Sequence, residues 1–176
     1  MLNTRLKEGF EMLKIPVSDS QLDLFDRFYQ FYSESHRKLN LSSLLSLEEF
    51  AVKHVLDSAS ALSFFEPGEK VADLGSGGGF PGVVLKILRP DLHIDLIDVV
   101  AKKTEYLTAL ARFLNLEMGV FNASRQKVFP VYQTVTCRAF GTLEKILQQS
   151  KKILAKNGRI LAYKGKKEVT EQEILP

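Results

Sequence analysis

The most constraining stretch of this chain reads Val71-Ala72-Asp73-Leu74-Gly75-Ser76-Gly77-Gly78-Gly79-Phe80-Pro81-Gly82. A short apolar run carries an acidic residue two positions before the first glycine, five glycines fall within eight residues, and an apolar helix-like segment follows. Glycine lets the backbone adopt left-handed conformations and lets another group approach it closely. The order of strand, glycine turn and helix start therefore predicts the entrance to a nucleotide-type cofactor site.

Strand and helix patterns alternate on the C-terminal side of this stretch. After the strand at 71–74, the pattern predicts helices at 81–88, 102–114 and 143–154, and strands at 92–97, 118–121, 134–137 and 159–163. Such alternation indicates βαβ units in a mostly parallel sheet, whose ligands bind at the carboxyl ends of the strands. We therefore expect the glycine loop, Asp98, the segment after Phe121 and Arg138 to meet at one sheet edge.

Residues 1–66 are predicted to form helices that pack on an α/β domain at 67–176. A first helix is predicted before Pro16, a second begins after Ser18 as its N-cap, and a third spans about 47–65. The second helix carries an apolar and aromatic stripe, which we interpret as core packing rather than a base-stacking platform. Its members are Leu22, Phe25, Phe28, Tyr29 and Tyr32.

The composition excludes several classes of protein. The chain has 176 residues, of which 45% are apolar, and no uncharged apolar run of about 18 residues that would indicate a membrane span. The N-terminus lacks the apolar region of a signal peptide. One cysteine, Cys137, forms no internal disulfide framework and fits a reducing cytosol. Three scattered histidines suggest no metal site.

The net charge of +3 is unevenly distributed. Residues 1–100 carry a net charge of −5 and residues 101–176 a net charge of +8. Nine basic residues and one acid lie between 138 and 167, which indicates either a polyanionic partner or a solvated lysine-rich surface. On the first interpretation, Lys164, Lys166 and Lys167 are candidate contacts for that partner.

Two cofactor classes compete for the glycine loop. Gly77, Gly79 and Gly82 match the dinucleotide fingerprint, with Asp98 at about the spacing of the acid that binds a ribose. Asp73 argues against a pyrophosphate, because its charge suits a cationic or zwitterionic ligand such as S-adenosylmethionine. Pro81 removes one N–H from the helix start, which weakens an anion site. A turn without a ligand remains the third interpretation, and Asp98 is also a candidate N-cap for the next helix.

The glycine loop and several downstream motifs resemble the bacterial small-subunit rRNA guanine-N7 methyltransferases, the glucose-inhibited division protein B family. The segment Asp73–Gly82, with Phe-Pro-Gly after the glycines, is the most specific match. The resemblance covers about residues 20–176. The other matching motifs are Asn40-Leu41-Ser42-Ser43, His54-Val55-Leu56-Asp57-Ser58, Leu96-Ile97-Asp98 followed by Lys102-Lys103, Cys137-Arg138-Ala139-Phe140 and Lys164-Gly165.

The resemblance implies transfer of a methyl group from S-adenosylmethionine to N7 of a guanosine in the 530 loop of 16S rRNA. It implies that Gly75 and Phe80 contact the cofactor, that Asp98 binds its ribose, and that backbone groups of Gln126 and Lys127 bind its adenine. It places Arg138 beside the cofactor and the target base.

The remaining candidate positions have competing interpretations. His54 and Ser58 share a helix face at i, i+4, where they contact RNA or serve the fold. Arg138 binds the guanine or a phosphate, or instead pairs with Asp73 or Asp98. Cys137 stands where the family has serine, so we do not interpret it as a nucleophile.

The chain also departs from the family pattern. Val99 replaces the usual serine after the acid, and Gln126-Lys127 replaces an acidic residue near the adenine. Family members usually add about two strands after the fifth, which leaves open whether the C-terminal domain is short or incomplete.

The sequence thus predicts a Rossmann-like, class I S-adenosylmethionine-dependent methyltransferase fold preceded by a helical segment. We expect a cytoplasmic monomer that acts on 16S rRNA or the 30S subunit, with no metal and no membrane partner. The alternatives are a methyltransferase for another RNA or a small molecule, a non-catalytic RNA-binding module, and an NAD(P)-dependent oxidoreductase.

Overall fold

A five-stranded parallel sheet forms the centre of the molecule. The computed structural model describes residues 1–39 and 46–164, with the side chains of 36–39 left out. The strands follow the spatial order β3-β2-β1-β4-β5, and every neighbouring pair is parallel. Their bounds are β1 Lys70–Leu74, β2 His93–Asp98, β3 Gly119–Asn122, β4 Tyr132–Arg138 and β5 Leu154–Tyr163.

The N-terminal part of the chain is helical, as predicted. Helix α1 spans Leu2–Met12 and α2 spans Asp19–Leu39. Helix α3 covers residues 47–59 in three consecutive segments, Leu47–Glu49, the π-helical Phe50–Leu56 and Asp57–Ala59. A 3₁₀ turn follows at Leu62–Phe64. The π-helical middle of α3 was not predicted, because so short a π-helical segment hardly changes the spacing of apolar residues from which a helix is predicted.

Helices cover both faces of the sheet. Helix α4 spans Gly82–Leu88, α5 spans Ala101–Leu114, and α6 spans Leu143–Ser150. Because side chains alternate along a strand, Val71 joins the apolar cluster beneath the N-terminal helices, while Ala72 joins the cluster on the opposite face with Ile146 of α6.

The aromatic stripe of α2 is core packing, as predicted. Phe25 and Phe28 are fully buried, and the Phe28 ring stacks on Phe80 with a centroid distance of 4.9 Å. Helix α2 begins as expected after Ser18, whose Oγ accepts a hydrogen bond from Gln21 N–H. The N-terminal helices therefore share their apolar cluster with the glycine loop.

The C-terminal elements differ from the predicted boundaries. Helix α6 ends at Ser150, and β5 begins at Leu154, five residues before the predicted start. Between paired positions, β4 advances from Tyr132 to Thr134 while β5 advances from Leu154 to Arg159. The Asn157-Gly158 pair, which predicts a turn, lies within this irregularity of the strand.

Within residues 1–39 and 46–164, no helix has the length and apolar character needed to span a membrane. The motif Asn40-Leu41-Ser42-Ser43, Gly165, and the candidate RNA contacts Lys166 and Lys167 lie outside the described residues.

Candidate active site

The glycine loop crosses from β1 to the neighbouring strand β2. Gly75 N–H and Ser76 N–H both donate to Ile97 O, at 2.7 and 3.2 Å. Gly75 has a φ of +73°, and a Cβ at this position would lie 2.4 Å from Cδ2 of Phe140. The loop therefore requires glycine at 75 both for its backbone conformation and for the close approach of the Phe140 ring.

Asp98 fixes the glycine loop from the end of β2. Its Oδ2 accepts a hydrogen bond from Gly77 N–H at 3.1 Å, and its Oδ1 accepts one from Val100 N–H at 2.9 Å. The N-cap of α5 is Val100 and not Asp98, so the N-cap interpretation was wrong. The carboxylate instead accepts one hydrogen bond from the loop after β1 and one from the loop after β2.

A cavity of about 590 Å³ opens at this sheet edge. Leu74, Ile97 and Phe129 contribute apolar walls, and Asp98 contributes the one carboxylate among the described lining residues. Gln126 and Lys127 line it too, and Gln126 Nε2 donates to Val128 O at 2.7 Å. An apolar slot with one carboxylate and adjacent backbone groups suits a flat heterocycle joined to a sugar.

Asp73 and Gly79 are not among the described residues that line this cavity. Asp73 is fully buried, and its Oδ2 accepts a hydrogen bond from Gly82 N–H at 3.0 Å. Its Oδ1 has no hydrogen-bond partner among the described residues. Burial raises the pKa of the Asp73 carboxyl to about 7, although the Gly82 hydrogen bond opposes the shift. A Cβ at Gly79 would approach Val83 within 2.9 Å.

A second group of side chains surrounds Phe80 on the other side of the loop. The imidazole of His54 stacks on the Phe80 ring at 4.3 Å between centroids and 12° between planes. The Arg138 guanidinium lies over the same ring, 5.1 Å from its centroid. Arg138 comes from the end of β4 and His54 from α3, so Phe80 is where the helical segment meets the sheet edge.

Arg138 pairs with the helical segment rather than with the acids of the glycine loop. Its Nη2 lies 2.7 Å from His54 Nδ1, its Nη1 donates to Lys53 O at 2.8 Å, and Nη1 lies 3.4 Å from Asp57 Oδ2. The expected alternative pairing with Asp73 or Asp98 was therefore wrong. Asp57 belongs to the quoted motif His54–Ser58, but its partner was not predicted because the contact joins residues 81 positions apart.

The remaining candidate substrate contacts differ in accessibility. His54 is 5% exposed and Ser58 is fully buried, and Ser58 O accepts a hydrogen bond from Tyr163 Oη at 2.7 Å. Lys164 is exposed after β5, where its Nζ donates to Gly141 O at 3.1 Å. Of the candidates His54, Ser58 and Lys164, only Lys164 has a side chain exposed enough to contact a large ligand in the described arrangement.

Cys137 has the character of a buried core residue. It is 1% exposed, and burial raises the pKa of its thiol to about 12, with a smaller contribution from the Asp73 charge. A thiol that stays protonated is a poor nucleophile, which agrees with the sequence interpretation.

Sequence reasoning missed three contributions to this region. Phe140, quoted only as part of a motif, packs against Gly75, and Lys145 and Lys152 at α6 line the cavity. Asp95, on strand β2, accepts a hydrogen bond from Tyr132 Oη at 2.9 Å. The i, i+7 spacing of the two lysines within the predicted helix at 143–154 was the available signal, although Lys152 lies two residues beyond the end of α6.

Comparison with known proteins gives a family match. The model of the family described as rRNA small subunit methyltransferase G matches residues 21–176. The protein named ribosomal RNA small subunit methyltransferase G from Geobacter sp. (strain M21) is 32% identical over 173 residues, which cover 96% of this chain and 80% of that protein. The protein of the same name from Coxiella burnetii (strain RSA 331 / Henzerling II) is 32% identical, with 93% and 81% covered.

Solved structures confirm the predicted fold class. Coclaurine N-methyltransferase bound to N-methylheliamine and SAH aligns with a TM-score of 0.53 and 15% identity, covering 92% of this chain and 57% of that chain. The ribosomal protein L11 methylase from Lactobacillus delbrueckii subsp. bulgaricus aligns with a TM-score of 0.52 and 14% identity, covering 62% and 58%. At these identities the likeness concerns the fold alone.

Proposed function

The chain belongs to the rRNA small subunit methyltransferase G family, and on that premise we propose that it methylates N7 of a guanosine in the 530 loop of 16S rRNA. S-adenosylmethionine is the methyl donor of such an enzyme. The observation that carries the proposal is the convergence of the glycine loop, Asp98 and Arg138 at one sheet edge, next to a cavity of about 590 Å³.

The residues of the cavity fit S-adenosylmethionine. Asp98 offers a carboxylate at the end of β2, where a ribose is bound in folds of this kind. Gln126 and Lys127 line the part of the cavity next to the apolar walls, which suits an adenine ring. The tight backbone at Gly75 leaves no room for a side chain beside the Phe140 ring. These four residues are our candidates for holding the cofactor.

The chemistry requires little of the protein beyond alignment. The bound cofactor supplies an electrophilic methyl group, and guanine N7 has an in-plane lone pair and no proton to lose. No residue is therefore needed as a general base, and rate enhancement comes from proximity and orientation. The high pKa of the Cys137 thiol agrees with a mechanism that uses no thiolate.

Arg138 is the candidate for contact with the target guanosine. Its guanidinium adjoins the glycine loop through Phe80, and only donors are available on it. Guanine O6 and the RNA phosphates are both acceptors that arginine binds well. Lys164, together with Lys166 and Lys167, is proposed to extend this basic surface along the RNA.

The proposal is tested by methyl transfer from labelled S-adenosylmethionine to purified 30S subunits and to free 16S rRNA. We expect one N7-methylguanosine per subunit, in the 530 loop. Calorimetry with S-adenosylmethionine and with NAD separates the cofactor classes, and binding of NAD alone would contradict the proposal. Cofactor binding without any transfer to 16S rRNA or 30S subunits would support a different substrate or a non-catalytic RNA-binding module.

The proposal also concerns the oligomeric state, the cellular location and the partner of the protein. We propose that a monomer is sufficient for activity, and light scattering during turnover measures this directly. An rRNA substrate also predicts a cytoplasmic location and the 30S subunit as the partner. A dimer that loses activity on dissociation would contradict the monomer.

A further inference from the structure

The environment of His54 differs from that of a histidine that only fills the core. It lies in the π-helical segment Phe50–Leu56 of α3, is 5% exposed, and stacks on Phe80. Short π-helical turns occur frequently at functional sites, because they redirect a side chain that a regular α-helix would point elsewhere. Here the imidazole lies against the Phe80 ring and within hydrogen-bonding distance of the Arg138 guanidinium, which lies over the same ring.

The contact with Arg138 determines which nitrogen of His54 carries the proton. Arg138 Nη2 lies 2.7 Å from His54 Nδ1, and a guanidinium has only donors. Nδ1 must therefore accept this hydrogen bond, which requires a neutral ring with its proton on Nε2. Nε2 faces the Oη of Tyr32, at 3.4 Å.

The same helix fixes the rest of the guanidinium. Lys53 O accepts a hydrogen bond from Nη1 at 2.8 Å, and Asp57 Oδ2 lies 3.4 Å from Nη1. These two contacts and the one to His54 all come from α3, while the Phe80 ring lies beneath the guanidinium. Among the described residues, Arg138 Nε–H and one Nη2–H are left without a hydrogen-bond partner.

We propose that His54 is a positioning residue, whose neutral Nδ1 holds the Arg138 guanidinium over Phe80 and leaves its Nε edge for the target guanosine. This inference rests on the proposed function and assigns His54 to act through Arg138 rather than to touch RNA. A neutral acceptor orients the guanidinium without cancelling its charge, whereas a carboxylate at 2.7 Å would compete with guanine and phosphate for that charge. The Asp57 carboxylate is farther away, and its side chain is 48% exposed.

Three substitutions at position 54 separate the hydrogen bond from the packing. His54→Asn keeps an acceptor at the branch where Nδ1 lies, whereas His54→Gln carries its amide farther out, near the Nε2 position. His54→Leu keeps neither acceptor. All three lose the aromatic stacking on Phe80, so the comparison of Asn with Gln isolates the acceptor. Single-turnover methyl transfer to 30S subunits is measured at saturating cofactor, with cofactor affinity measured separately by calorimetry.

We expect His54→Gln and His54→Leu to slow methyl transfer by about 10- to 100-fold, the factor that one hydrogen bond to a charged group is worth. His54→Asn should stay within about threefold of the unmodified protein, since it retains that bond. Cofactor affinity should stay nearly constant in all three, because His54 does not line the cavity. Equal slowing of the Asn and Gln variants, or no slowing in any variant, would overturn the positioning role.

A spectroscopic measurement on the unmodified protein does not depend on activity or on the folding of a variant. The ¹⁵N spectrum of the His54 ring, distinguished from His36 and His93 by comparison with a position-54 variant, should show a protonated Nε2 and an unprotonated Nδ1. A protonated Nδ1 would overturn the inference. If the unmodified protein binds S-adenosylmethionine but methylates no rRNA, the proposed function fails, and this spectrum still decides whether His54 accepts from Arg138.

Discussion

Two buried acids at opposite ends of β1 have different surroundings. Glu69, which immediately precedes the strand, is 4% exposed, and both of its carboxylate oxygens have partners. Thr134 Oγ1 donates to Oε1, while Arg159 Nη2 and Glu66 N–H donate to Oε2 at 2.8 and 2.9 Å. Asp73, near the carboxyl end, is fully buried with a partner on Oδ2 alone among the described residues.

The two carboxylates differ in pairing, because both oxygens of Glu69 have partners and only one oxygen of Asp73 has one among the described residues. At the amino edge, a charged arginine satisfies the buried acid directly. At the carboxyl edge, Arg138 instead contacts His54 and Asp57 of α3, and burial raises the pKa of the Asp73 carboxyl to about 7. Incomplete pairing of a buried carboxylate is costly, and at Asp73 it occurs at the edge of the sheet that carries the glycine loop and the cavity.

The largest effect is expected from removing the Glu69 carboxylate, which Thr134 and Arg159 contact. Glu69→Ala should lower the free energy of unfolding by about 3 kcal/mol, because it leaves the Thr134 hydroxyl and the Arg159 guanidinium without their carboxylate. This predicted loss of stability lies at the low end of the range for breaking a buried ion pair, because the Arg159 side chain is 41% exposed. Urea unfolding measures it, and cofactor affinity of the folded protein should not change. A loss below about 1 kcal/mol would show that the amino edge does not depend on this cluster.

Asp98→Ala tests the carboxyl edge of the sheet, where Asp98 lines the cavity. It removes the acceptor for Gly77 N–H and the proposed partner of the ribose, so the dissociation constant for S-adenosylmethionine should rise at least about tenfold, equivalent to ~1.5–3 kcal/mol. Asp95→Ala is the matched control, because Asp95 lies on the same strand and contacts Tyr132 and Gly119 instead of the cavity. Calorimetry should show nearly normal affinity for the control. Undiminished affinity in Asp98→Ala would leave Asp98 with a role in loop structure alone.

Within any one pH unit, a smaller effect is expected in the pH dependence of stability. The pKa of Asp73 is about 7 in the folded protein and 3.8 in the unfolded chain, so the folded state binds more protons between these two pH values. The free energy of unfolding should therefore decrease as pH rises from about 4 to 7, by up to ~1.4 kcal/mol per pH unit. Asp73→Asn lacks this titration and keeps an acceptor for Gly82 N–H. A difference between the two proteins that does not vary with pH would contradict the raised pKa.

The smallest effect concerns the basic surface. Replacing Lys164, Lys166 and Lys167 by Gln should weaken binding to 16S rRNA and reduce the slope of log affinity against log salt by about 0.7 for each lost phosphate contact. Lys70 and Lys156, exposed lysines at the amino edge, provide the control, and their replacement should leave the slope nearly unchanged. An unchanged slope in the triple variant would assign RNA binding to another surface.

Local sequence signals predicted most of the fold and the glycine loop. The strand, glycine and helix order around Gly75 and the apolar alternation of β1 and β2 determine the topology, and parallel topology alone brings Asp98 and Arg138 to one edge. The aromatic stripe of α2 was correctly predicted as core because it repeats at helix spacing.

The contacts that join distant parts of the chain were not predictable from single positions. The pairing of Arg138 with His54 and Asp57 depends on how α3 docks on the sheet and on the π-helical turn within it. The complete pairing of Glu69 depends on the irregular register between β4 and β5. Both are properties of tertiary packing, to which local periodicity contributes little.

We propose that the carboxyl edge of this sheet methylates N7 of one guanosine in small-subunit rRNA. The decisive experiment maps N7-methylguanosine in 16S rRNA from cells with and without this protein. We predict one modified position in the 530 loop that is lost without the protein and restored by the unmodified chain but not by a variant lacking the Arg138 guanidinium. An identical set of N7-methylguanosine positions in both kinds of cell would contradict the account.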